Sequence, residues 1–209
     1  RLLRRHPGEG STVRLAMAHE ELLARTDFFG DAPPAIIRDL AAAGSEMPLI
    51  RGDVLFREGD VADSLYLVVS GRVAIAIANP IDHRETVVAL MDAGDLFGEM
   101  SMLDDGPRSA LARALEPSTV FAIPFDPVVK AFRSDPALLW GVTRLLATRL
   151  RVMDEALADS VFLDVTGRTA KRLLELSEGA DEFLLPITQE ELAGMVGASR
   201  ERVNKAIAS

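Results

Sequence analysis

Hydrophobic positions along the chain follow a helical spacing over residues 19–45. They switch to short runs with a period near two from Met47 to Ile123, then return to helical spacing. In the first block Leu22, Leu23, Phe28 and Phe29 form one apolar stripe. Pro33-Pro34 opens a second helix carrying Ile36, Ile37, Leu40 and Ala43, and Gly44 ends it. The strand-like runs are Val54–Phe56, Leu65–Val69, Val73–Ala78, Thr86–Met91, Leu111–Leu115 and Thr119–Ile123, bounded by Gly-Asp or Asn-Pro turn signals. Within Val73–Ala78 large and small apolar residues alternate, which suits a strand with one crowded face. Gly52-Asp53-Val54-Leu55-Phe56 is echoed by Gly94-Asp95-Leu96-Phe97. Short strands with repeated turns predict a compact antiparallel roll or barrel.

Pro124 and Pro127 close the β region, and Val128–Phe132 reads as a short helix. Pro136 then opens one long helix running to about Phe162. Its apolar positions, Leu139, Val142, Leu146, Met153, Ala156 and Leu163, make a heptad-like seam with Arg149 and Ser160 filling the gaps. A core helix of a monomer would give a similar stripe; the length favours a seam between two copies. Asp164–Arg168 reads as a break and hinge, Thr169–Leu176 as a further helix, and residues 178–182 as a polar loop.

The C-terminal segment carries a sharper signal. Thr188 with Glu191 three residues later is a capping box, and Ser199 caps the next helix. Ala193 is small where two helices cross, Gly197 suits a left-handed turn between them, and Val203 faces back to the core. This is helix-turn-helix spacing. The second helix offers Arg200, Glu201, Arg202, Asn204 and Lys205: arginine reads guanine edges and glutamate accepts from cytosine N4. Ser199 and Thr188 are placed to donate to backbone phosphate. The expected organisation is α+β, with an arm at 1–18, a β-roll domain at 19–135, a dimerisation helix at 136–163 and a DNA-binding unit at 164–209.

Candidate ligand chemistry concentrates in residues 94–110. Gly98 lets the main chain approach a ligand closely, and the turn from Glu99 to Leu103 presents N–H groups to an anion. Arg108 supplies a planar fork suited to phosphate, and Ser109 adds a hydroxyl and an N–H. Glu99 would repel phosphate, so a sugar hydroxyl is its fitting partner. On these residues alone the competing reading, a simple Glu99–Arg108 pair in a loop, stands equal.

Composition narrows the field. Among 209 residues there is no cysteine, which removes disulfides, thiolate nucleophiles and Cys-ligated clusters and fits a reducing, cytoplasmic setting. The net charge of −9 argues against a non-specific nucleic-acid coat, and the basic groups of the C-terminal segment gather on its last helix. No run is long enough for a membrane span and no signal peptide is expected. His6, His19 and His83 lack metal-site spacing, so no metal is expected. No P-loop, Gly-x-Ser-x-Gly or Cys–His arrangement points to an enzyme.

Phe97-Gly98-Glu99-Met100-Ser101-Met102-Leu103 followed by Pro107-Arg108-Ser109-Ala110 resembles the phosphate-binding cassette of cyclic-nucleotide-binding domains. Phe162–Arg168 resembles the hinge, and Val196–Glu201 with Val203–Ala206 the recognition helix, of the cyclic-AMP receptor protein / FNR family. That family's activator is itself a standard example of helix-turn-helix docking, in which a dimer meets half-sites one helical turn apart. The resemblance implies a homodimeric transcription regulator that binds a cyclic nucleotide, most simply cyclic AMP, and a palindromic duplex, with RNA polymerase as a further partner and no membrane. It implies main-chain contacts from Gly98 and Met100, a ribose contact from Glu99, phosphate contacts from Arg108 and Ser109, and base-edge contacts from Arg200, Glu201 and Lys205. The two adenine-contacting positions of the family fall on Met153 and Asp154, where it usually has Thr followed by Ser or Asn. This departure motivates an alternative: the same DNA-binding regulator acting without cyclic AMP, constitutively or with another effector such as a cyclic dinucleotide. The family continues into a small β wing, which is absent from this chain.

Overall fold

The computed structural model describes residues 19–78, 85–177, 179–180 and 182–208, so the expected arm at 1–18 lies outside the described residues. Helix α1 (residues 19–25) and α2 (Pro34–Ala43) precede eight strands: β1 (Ser45–Leu49), β2 (Val54–Phe56), β3 (Ser64–Ser70), β4 (Val73–Ala78), β5 (Glu85–Met91), β6 (Leu96–Phe97), β7 (Leu111–Ala114) and β8 (Ser118–Pro124). Helix α3 (Met100–Asp104) lies between β6 and β7. After β8 come α4 (Phe125–Ser134), a 3-10 turn (Pro136–Leu138), α5 (Leu139–Phe162), α6 (Val165–Ser177), α7 (Gln189–Val196) and α8 (Arg200–Ile207). The strands form two antiparallel four-stranded sheets, β1-β8-β3-β6 and β2-β7-β4-β5.

Period-two alternation sorts side chains into separate cores. On β3, Leu65 and Leu67 point to a core shared with Leu23, Phe28, Phe29, Leu40, Val128 and Val142, whereas Tyr66 and Val68 point between the sheets. On β8, Phe121 and Ile123 join the first core, and Val120 and Ala122 the second. On β4, Val73 and Ile75 face the first sheet, whereas Ala74 and Ala76 face a third core built with Ile187, Leu192, Ala193, Val196 and Val203. The molecule is therefore four layers deep: helices, first sheet, second sheet, C-terminal helices. The large–small alternation of β4 has its cause here. The small residues lie where α7 comes down on the sheet, and both alanines are fully buried.

Several expectations shift in detail. Two strands not read from the pattern appear. One is β1, which runs through Pro48 at a sheet edge; the other is β6, only two residues long. The long helix opens at Pro136, as read, but its first turn, Pro136–Leu138, is 3-10 before it becomes α-helical at Leu139. The break after it is confined to Leu163 and Asp164, because α6 already starts at Val165 and Asp164 accepts from the Gly167 N–H at 2.8 Å. The C-terminal signals form as spaced: Thr188 and Glu191 complete a capping box, Gly197 has φ +68°, and the Ser199 hydroxyl accepts from Arg202 N–H.

One position tests the roll's closure. Gly71, in the turn joining β3 to β4, has φ +78°, and a Cβ there would lie 2.3 Å from Ser118 Oγ and 2.6 Å from Pro117 O. Gly71→Ala combines left-handed strain with contact to main chain, so it should cost about 2–4 kcal/mol of stability, read as a lowered urea midpoint with an unchanged slope. A midpoint equal to that of the parent protein would show that this turn is not tight.

Candidate nucleotide-binding and DNA-binding sites

The segment after β6 folds over the end of the roll and buries two opposite charges. Gly98 has φ +81°, and a Cβ on it would sit 2.8 Å from Arg108 Nη1, so only glycine lets the arginine lie there. Arg108 Nη1 donates to Gly98 O at 2.8 Å and Nη2 to Ser64 O at 2.6 Å. The guanidinium carbon lies 4.3 Å from the Phe56 ring centre and 5.4 Å from that of Tyr66, within cation–π range. Burial pulls the Arg108 pKa below its ordinary value, against the nearby Tyr66 and Asp63, and burial likewise raises the Tyr66 hydroxyl. The fork is thus pre-set by two carbonyls and an aromatic bed.

Glu99 is fully buried, and its Oε1 accepts from Arg149 Nη1 of α5. Arg149 Nη2 also donates to Leu96 O at 2.9 Å, so the arginine ties both the carboxylate and strand β6 to the long helix. Burial pushes the Glu99 carboxyl above the usual carboxylate range; Arg149 and then Arg108 act the other way without cancelling it. The simple Glu99–Arg108 pair that the sequence allows does not form: each residue has other hydrogen-bond partners. Both retain one buried polar atom without a protein hydrogen bond, Glu99 Oε2 and Arg108 Nε. A buried acceptor and a buried donor on one short segment are costly unless something meets them. A hydroxyl suits the first and an oxyanion the second.

The remaining expected ligand residues are placed as follows. Met100 starts α3 and is 45% exposed, and Ser109, next to Arg108, is exposed. Met153 and Asp154 are exposed on α5, just over one turn beyond Arg149. Arg149 itself is not the gap in a seam that the spacing suggests. It follows inward-facing Leu145 by four positions and Val142 by seven, which puts it on the face turned toward the roll. The outward stripe instead holds Leu139, Leu146, Leu150, Met153, Leu157 and Val161, all at least 41% exposed.

On α8, Arg200, Glu201, Arg202 and Lys205 are exposed, as is Ser199 at its start. Asn204 is only half-buried rather than exposed, and its Oδ1 is buried without a partner. Thr188 is exposed, with its hydroxyl donating to Glu191 Oε2 at 2.9 Å. Ala193 and Val203 are buried between the helices. A recognition helix with charged groups outward and one apolar anchor inward is the arrangement that enters a major groove. Among the described residues no cluster of His, Asp and Glu is arranged to hold a metal, and no helix is long and apolar enough to cross a membrane.

Comparison with known proteins agrees with both ends of the chain. Residues 47–135 match the cyclic nucleotide-binding domain family, and residues 167–209 match the Crp-like helix-turn-helix domain family. The chain is 38% identical over 196 residues to the CRP-like cAMP-activated global transcriptional regulator of Mycobacterium tuberculosis, covering 90% of this chain and 87% of that protein. It is 36% identical to the cyclic AMP receptor protein of Thermus thermophilus over 181 residues, covering 86% of this chain and 82% of that protein. Among solved structures, the c-di-GMP responsive global regulator CLP of Xanthomonas campestris aligns with a TM-score of 0.71 at 26% identity, over 84% of this chain and 90% of that one. With a buried carboxylate and arginine in the roll, a recognition helix at the other end and relatives over nine-tenths of its length, the chain belongs to the cyclic-AMP receptor protein / FNR family of cyclic-nucleotide-binding, DNA-binding transcription regulators.

Proposed function

We propose that the effector is cyclic AMP, held by the roll of each subunit of a cytoplasmic homodimer that reads a palindromic operator and engages RNA polymerase. The observation that carries the nucleotide site is the pair of unsatisfied buried atoms. Glu99 Oε2 accepts from the ribose 2′-hydroxyl, and Arg108 Nε donates to an equatorial oxygen of the cyclic phosphate. Ser109 and the Gly98 and Met100 main chain complete the cradle. The similarity to cAMP-activated and cyclic-AMP-binding relatives supports the choice of base.

Arg149 makes the site part of a switch, since it is bonded to the ribose-binding carboxylate and stands on the long helix. The exposed apolar stripe of α5 supports the dimer, in which it is buried against the same stripe of a second copy. The helix then leads through Leu163 and Asp164 to α6 and the recognition helix, so that two copies of α8 meet half-sites about 34 Å apart. Arg200, Glu201 and Lys205 contact base edges, and Ser199 and Arg202 the phosphate backbone, whereas the N–H and hydroxyl of Thr188 are both taken up by Glu191. Residues 19–135 form the sensing unit, 136–163 the dimerisation helix and 164–209 the reading unit. The second reading keeps the DNA binder and changes the effector. Met153 and Asp154 motivate it, together with the likeness to a c-di-GMP responsive regulator.

Arg108→Ala should weaken cyclic AMP binding about 100-fold in calorimetry, because it removes charge-assisted hydrogen bonds to a buried anion, while the circular dichroism stays that of the parent. Unchanged affinity would reject the pocket assignment. DNA binding followed by anisotropy in the presence of cyclic AMP, cyclic GMP or cyclic di-GMP separates the two readings: only the true effector tightens it, and a constitutive protein responds to none.

Glu99 gives a pH signature. Its folded pKa is raised by burial, so the native state binds this proton more tightly than the unfolded chain. Its contribution to stability is largest below the ordinary carboxylate pKa and declines as pH rises through the folded value. In urea titrations from pH 4 to pH 8, the stability of the parent relative to Glu99→Gln should therefore fall with rising pH. A difference that rises would mean that Arg149 outweighs burial.

A further inference from the structure

The second sheet is one strand-layer thick between the phosphate pocket and the DNA-binding helices. Strand β7 begins three residues after Arg108, and its alternation points to both sides. Ala112 packs in the inter-sheet core with Tyr66 and Phe97, whereas Leu111 packs in the outer core with Leu192, Ala193 and Val196 of α7. Arg113 shares the outer face with Leu111. Its Nη2 donates to Glu191 Oε1 at 2.8 Å, and its Nε to Glu85 Oε2 of β5 at 3.3 Å.

Glu191 is not an ordinary surface acid. Its side chain is 10% exposed, and its other oxygen accepts from the Thr188 N–H at 2.7 Å and the Thr188 hydroxyl at 2.9 Å. One carboxylate therefore caps α7 with Oε2 and grips β7 with Oε1. Burial opposes its charge, but the Thr188 bonds and Arg113 together hold its pKa below the usual range, so the clamp stays charged at neutral pH. Close packing backs it up. Gly194 of α7 lies over β5, where a Cβ would meet Thr86 Cα at 3.4 Å, and Ala74 and Ala76 leave room for the helix. At the other end, Arg108 is tied to the roll by its main chain, donating to Asp60 O and accepting from Gly59 N–H.

We infer that β7 is a direct route within one subunit from the phosphate site to the DNA-binding helices, parallel to the long helix, and that Arg113 is the positioning residue that couples them. The inference rests on the nucleotide reading of Arg108. A displacement of β7 that accompanies phosphate capture at Arg108 and Ser109 reaches the start of α7 through Arg113 and the shared carboxylate. Coupling requires that the two ends favour the same placement of β7, and loss of the clamp lets the helices settle independently of the ligand.

The test uses the full chain and a symmetric duplex obtained by in vitro selection with the parent protein. The quantity read is the ratio of DNA dissociation constants without and with saturating cyclic AMP. Arg113→Gln should lower that ratio at least fivefold toward one. Arg113→Lys, which keeps the charge but not the two-armed fork, should fall between. Glu191→Gln keeps a residue competent for the capping box and removes the ion pair from the other side, so it should match Arg113→Gln and guards against a folding defect in either variant. A ratio within twofold of the parent in both Gln variants would overturn the route and leave the clamp a structural contact. A parent ratio of one, with no cyclic AMP binding in calorimetry, would reject the nucleotide reading itself, and the route with it.

Discussion

A carboxylate with no access to water is the constraint around which this molecule is arranged. Glu99 can be buried because Arg149 reaches it from the long helix, and Arg149 is itself held by the Leu96 carbonyl. Removing two charges from water is costly, and such a pair is retained where it ties elements in one register or serves a site. Here it ties elements: it joins the segment after β6 to α5, and one carboxylate oxygen is left without a protein partner. The neighbouring Arg108 follows the same logic with the sign reversed: two carbonyls and an aromatic bed satisfy most of its fork, and one N–H remains.

Layering explains how so small a site can influence a distant helix. Each strand from β3 to β8 divides its residues between two cores, so neither sheet moves without disturbing the layers on both sides. The first sheet links the site to the N-terminal helices and to the start of α5 through Leu65, Leu67 and Val142. The second links it to α7 through Ala74, Ala76 and Leu111. Close packing on both faces of a single sheet converts small displacements into discrete rearrangements rather than graded ones.

Much of this was legible in the residue pattern because the relevant rules are local. Strand periodicity, the Thr188–Glu191 capping box, the left-handed Gly197 and the inward Val203 depend on neighbours within a few positions, and they form where the spacing puts them. The cassette was legible as chemistry: a glycine, a carboxylate and an arginine at short spacing. Strand β6 was not, since two residues carry no period, and neither was β1, whose proline is tolerated only because it sits at a sheet edge.

What the sequence by itself determined was the kind of most elements, the candidate residues of two sites and their resemblance to one family. The tertiary structure decided which charges meet. Glu99 and Arg108 are nine residues apart and open to pairing on paper, yet the fold gives Glu99 to Arg149, fifty residues away, and gives Arg108 to main-chain carbonyls. Arg113 and Glu191 are seventy-eight residues apart, with no local signal linking them. Long-range partners are set by where layers stack, and stacking depends on the summed burial of many apolar side chains rather than on any spacing along the chain.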